Sequence, residues 1–78
     1  MNDKEIHGHI EQLVAEEHAL FEKGGKLTPD ERKRLGELNV QLDRYYDLLR
    51  QRRAREEFDQ DPEQAKLRSS NTVESYLQ

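Results

Sequence analysis

Two sets of side chains in this 78-residue sequence have the chemistry to bind something: the histidines His7, His9 and His18, and the arginines Arg50, Arg52, Arg53 and Arg55. Imidazoles ligate zinc and iron, and helical sites of that kind use a His-Glu-x-x-His or Glu-x-x-His spacing that sets two donors on one face. Neither spacing occurs here. On a helix His7 and His9 point to nearly opposite sides, while His7 and His18, which share a face with Glu11, stand about 16 Å apart along the axis. One chain therefore cannot close them around an ion, and they read as solvated side chains, with His7 beside Glu11.

The arginines carry the stronger signal. Their planar forks suit phosphate, carboxylate and acidic protein surfaces, which makes Arg50, Arg52, Arg53 and Arg55 the candidate partner-binding residues. Glu56, Glu57, Asp59, Asp61 and Glu63 follow at once and cancel most of that field. The preferred reading is that these arginines stabilise a helix end and pin the tail. For catalysis there is little to assemble: no glycine-rich phosphate loop, and no cysteine for a disulfide or a thiolate metal site. Glu17 interrupts an apolar stripe, where it is either a buried acid, an ion-pair partner for an arginine such as Arg34, or, as we prefer, a stripe-edge carboxylate that reaches water. Tyr45 and Tyr46 read as helix-seam residues rather than a stacking platform, and Val40 as a lone exposed valine.

The elements that must position these groups are helices. Leu35, Leu38, Leu42, Tyr45 and Leu49 alternate spacings of three and four, the seam of a helix packed on a partner, and the next seam position is Arg52. Ile6, Ile10, Leu13, Glu17 and Leu20 form a matching stripe, widened by Val14 and Phe21. Asp3 as N-cap and Gly24-Gly25 as stop bound a first helix at 3–23. Thr28-Pro29-Asp30-Glu31 is a capping-box start for a second at 29–57. Pairing Leu20 with Leu35, Leu13 with Leu42, Ile10 with Tyr45 and Ile6 with Leu49 keeps each pair of residue numbers adding up to 55. That constancy defines an antiparallel ladder and leaves residues 52–57 overhanging the first helix. The expected fold is all-α: an antiparallel, coiled-coil-like two-helix hairpin over 1–58, then a tail over 59–78. Within the tail, Asp61-Pro62-Glu63-Gln64 suggests a short helix at 62–67, and Val73, Tyr76 and Leu77 share one helical face.

A bare hairpin of this size is short of core, because only 32% of residues are hydrophobic and 38% are charged. Either the tail folds back over it, or a second copy pairs with it through Val14, Phe21 and Tyr46 as a four-helix bundle. Six acids oppose two lysines in residues 1–23, whereas eight basic residues oppose five acids in 28–55, as suits helices lying side by side. The net charge of -4 argues against general nucleic-acid binding. No apolar run approaches a membrane span and no basic stretch leads into an apolar one, so the expected location is cytoplasmic.

IHGHIEQLVAEEHAL, LTPDERKRLGELNVQLDRYYDLLRQRRAREE, DPEQA and VESYLQ together resemble a family of short actinobacterial proteins of unknown function, with DLLRQRRA the most specific stretch. The resemblance implies an intracellular two-helix protein and transfers no activity, ligand or site residue. The expectation is a non-enzymatic interaction or regulatory module, without cofactor or metal, acting as a homo-oligomer or a tail-covered monomer with a possible protein partner. The alternatives are a nucleic-acid accessory protein using the Arg50–Arg55 end, and a metal or enzymatic site built from the histidines of paired hairpins.

Overall fold

A computed structural model of the chain describes the backbone of residues 1–77 and the side chains of residues 1–74. Helix α1 spans Asp3–Phe21, helix α2 spans Pro29–Glu57 and helix α3 spans Ser70–Leu77, with 3-10 turns at Gly24–Lys26 and Pro62–Gln64. No strand occurs among the described residues. The fold is all-α.

Local chemistry sets each boundary. The N-cap of α1 is Asn2 rather than the expected Asp3: its Oδ1 accepts from the Glu5 amide at 2.8 Å, and Glu5 accepts in return from the Asn2 amide at 3.2 Å. Both Asn and Asp cap well, and the glutamate three positions on selects Asn2. The helix ends at Phe21, two residues early, because Gly24 takes a positive φ of 58° and the chain tightens into a 3-10 turn. Thr28 and Glu31 form the reciprocal cap that starts α2. Its far end closes in a Schellman arrangement: the Gln60 amide reaches Arg55 O at 2.7 Å and the Asp59 amide reaches Glu56 O at 3.2 Å, with Asp59 left-handed at φ 54°.

Helix α2 is the spine, and it packs on α1 along one side and on the tail along another. Its α1 side runs antiparallel, as the pairs Asp3–Arg52, His9–Tyr45, Glu16–Arg34 and Lys23–Glu31 show. Ile6, Ile10, Leu42 and Leu49 are buried there, with Leu13 and Tyr45 packed against them. The seam is tight near Ile6 and looser near the turn, where Leu20 and Leu35 are half-buried.

The tail lies on a second face of α2. Ala65 and Val73 are buried, and Leu48, which is off the heptad positions of the α1 seam, belongs to the one apolar cluster that joins Ala65 and Leu67 to Ile6, Ile10, Leu42 and Leu49. Residues 65–69 are not helical, so the short helix expected at 62–67 is confined to the 3-10 turn Pro62–Gln64. An extended segment without a ladder needs donors for its carbonyls. Side chains of α2 provide them: Arg44 Nε donates to Arg68 O at 2.9 Å and Gln51 Nε2 to Lys66 O at 2.8 Å, while Arg52 Nη1 donates to Pro62 O in the preceding turn at 3.2 Å. Asp47, 9% exposed, accepts from Gln51 at 2.9 Å and pairs with Arg68 at 3.5 Å. Ser69 then caps α3, its hydroxyl accepting from the Thr72 amide at 3.3 Å. The expected apolar face of this last segment is present at Val73; the side chains of Tyr76 and Leu77 lie outside the described residues.

Two groups of carboxylates respond to acid with opposite sign. The Arg34 hydrogen bond holds Glu16 below the usual carboxylate range, and the Lys23 hydrogen bond, then the Thr28 amide, does the same for Glu31. Their contribution is present above the ordinary carboxylate range and is lost as pH falls through their depressed values. Glu74 is pushed up, first by the neighbouring Asp43 carboxylate and then by burial, so its penalty exists at neutral pH and is relieved as pH falls through its raised value. On acidification from neutrality the Val73 amide, which donates to Ser69 O, is therefore expected to gain protection before the ion pairs near the turn fail. Hydrogen exchange corrected for intrinsic rates measures this. Protection at Val73 that falls steadily from neutral pH would contradict it.

Candidate functional site

The four candidate arginines occupy one and a half turns at the end of α2, and the helix sends them to different surroundings. Arg52 continues the α1 seam and is 6% exposed. Its Nε donates to Asp3 Oδ1 at 2.5 Å, Nη1 to Met1 O at 2.8 Å and to Pro62 O, and Nη2 to Glu63 Oε1 at 3.1 Å. The hydrogen bond to Asp3 first, and then that to Glu63, holds the guanidinium above its ordinary range despite burial. Arg52 therefore does not overhang α1 and is not available to an external partner; it ties the first turn of α1 to the tail. Arg55 is half-buried and reaches Gln60 Oε1 at 3.5 Å.

Arg50 and Arg53 point the other way. Both are exposed, and among the described residues their side chains enter no ion pair or hydrogen bond. Glu57 stands four residues beyond Arg53, a spacing that favours pairing on a helix, yet the two are not paired. Together with His7, Tyr46 and Leu49 they line an open cleft of about 520 Å³ between α1 and α2. Leu49 is its buried apolar floor, Tyr46 an aromatic wall at 44% exposure, and His7 reaches it from α1.

The tyrosines thus divide. Tyr45 is half-buried, with His9 stacked on its ring at a centroid distance of 5.1 Å, whereas Tyr46 is open to solvent. The histidines divide as well: His18 lies 3.3 Å from Glu22, so the three imidazoles serve three different places. Among the described residues no group of three His, Cys, Asp or Glu side chains is close enough to hold a metal ion. Glu17 is half-buried, and it is Glu16 that Arg34 holds, through Nε and through Nη2 at 3.0 Å. Val40, half-buried, lines a cleft with Gly36 and Ser70. Val14 and Phe21, at 41% and 57% exposure, sit at seven-residue spacing from His7. This spacing places them along one face of α1. No helix among the described residues is long and apolar enough to cross a membrane.

These features define a small all-α protein, two long helices with a buttressing tail and an open basic-aromatic cleft between the helices. Residues 2–78 match the family described as "Protein of unknown function (DUF2630)", and the chain belongs to that family. It is similar to uncharacterized proteins of Mycobacterium bovis and of two strains of Mycobacterium tuberculosis, each 42% identical over 77 residues that cover 95% of this chain and 88% of the relative. No solved structure matches the chain.

Proposed function

We propose that the chain is a non-enzymatic interaction module of the cytoplasm whose working surface is the open side of the α1–α2 pair, where a partner protein docks. The observation that carries this reading is the division of the arginines. Arg52 and Arg55 are taken up within the fold, while Arg50 and Arg53, unpaired among the described residues, line a cleft with the exposed ring of Tyr46. Unpaired arginines next to an exposed aromatic are the residue types enriched where protein surfaces bind most strongly. A protein partner is favoured over nucleic acid because the chain carries a net charge of -4, and two free arginines make too few phosphate contacts for tight duplex binding.

A photoreactive amino acid at position 46 is expected to crosslink a discrete partner in the native cell. The product should disappear with Arg50→Glu/Arg53→Glu, and the same probe at exposed Ala19 should not give it. Equal labelling from positions 46 and 19, or none from 46, would overturn the reading.

A further inference from the structure

Resting on that surface, we propose that the cleft formed by His7, Tyr46, Leu49, Arg50 and Arg53 recognises a phosphoryl group carried on a side chain of the partner protein. Arg50 and Arg53 lie three residues apart on one helix, a rise of about 4.5 Å, so their two forks can bracket a single compact anion. A carboxylate presents one charge and two coplanar oxygens, which one arginine fork satisfies. A phosphoryl group presents nearly two charges and three strong acceptor oxygens, and that matches two guanidiniums better than one.

His7 adds a donor from the opposite wall, since it belongs to α1 while the arginines belong to α2. An anion seated there is held from both helices. The apolar floor of Leu49 and the ring of Tyr46 then lie beside the anion position and can cover the carbon portion of the phosphorylated residue, for which a phosphotyrosine ring has the most suitable shape. Among the described residues no acid pairs with Arg50 or Arg53, and Glu63 is held by Arg52. By contrast, the cleft along Gln51, Arg55, Glu63, Gln64, Lys66 and Arg68 contains both signs of charge and side chains already engaged with the tail.

The test is a titration of the isotopically labelled full chain with one short peptide made in three forms, bearing phosphotyrosine, phosphoserine or glutamate at the same position, and with a single-stranded RNA of similar length. A phosphorylated form is expected to bind at least tenfold more tightly than the glutamate form and to shift the resonances of His7, Tyr46, Arg50 and Arg53. Arg50→Glu/Arg53→Glu should reduce that affinity at least tenfold. Arg32→Glu, which alters an exposed arginine near the start of α2 and outside the cleft, should change it less than twofold.

Equal binding of the glutamate and phosphorylated forms would overturn the phosphoryl assignment, as would an equal loss from Arg32→Glu. RNA binding tighter than either phosphopeptide would overturn it in favour of nucleic acid. Absence of phosphopeptide binding alongside an intact crosslink from position 46 would remove this proposal and leave the docking surface standing.

Discussion

Replacing Arg52 with alanine is expected to lower stability by about 2–4 kcal/mol, the range for leaving a buried charge network without its centre. The lower part of that range allows for Asp3 and Glu63, whose carboxylates are more than half exposed and can rehydrate. The loss should be visible as a fall of roughly 10–20 °C in Tm for a domain of this size. Arg52→Lys keeps the charge but not the fork that reaches Asp3, Met1 O, Pro62 O and Glu63 together. It should recover less than half of the difference. Arg53→Ala, from an exposed position with no ion pair or hydrogen bond among the described residues, should cost about 0.5 kcal/mol or less, a Tm change of at most about 2–4 °C. Indistinguishable unfolding curves for Arg52→Ala and Arg53→Ala would show that the network does not form.

The second large effect is expected at Leu48. This side chain is 2% exposed yet lies outside the seam with α1, and it shares its cluster with Ala65 and Leu67. Leu48→Ala should cost about 2–4 kcal/mol through lost burial and the cavity left behind. Without the tail on α2 this off-seam side chain would be more exposed, and its truncation should cost about 1 kcal/mol or less. Denaturant unfolding separates the two cases. A ΔΔG under about 1 kcal/mol would mean that the tail is not packed on α2 in solution.

What could be read from the sequence follows from which contacts are periodic. The α1 and α2 stripes repeat at three and four, so their existence, direction and register are written in spacing. The register extends one pair beyond the apolar stripe, since Asp3 and Arg52 keep the same total of 55. The end of the apolar stripe at Arg52 looked like the end of the seam, although a seam can continue as an ion pair once its residues turn polar. Asp3 is not recognisable as the partner of Arg52 from sequence because it suits the helix cap equally well, a role that Asn2 fills.

The second face of α2 was not legible. Its partner is an extended segment held through main-chain carbonyls, which every residue possesses and no composition reveals. Leu48, Asp47 and Gln51 therefore had no visible counterpart. Ser69 was the exception: a serine three residues before Thr72, ahead of Val73, is a cap signal that can be recognised without a structure. In the candidate site, the arginines were identifiable as a cluster, but their separation into internal and open members depends on 100° steps around a helix whose two neighbours must be known first.

The way the tail is held also bears on how this sequence can drift. At Lys66 the fold uses the carbonyl oxygen, which Gln51 grips, while the side chain is exposed. Nearly any amino acid offers that oxygen, so position 66 should accept wide exchange, even to proline, where the backbone angle allows it. The obligation falls on the helix, since Gln51 and Arg44 supply a reach and a donor geometry that few side chains share. Divergence among family members should accordingly be asymmetric, with a permissive segment lying on a restrictive helix, although the two form a single contact.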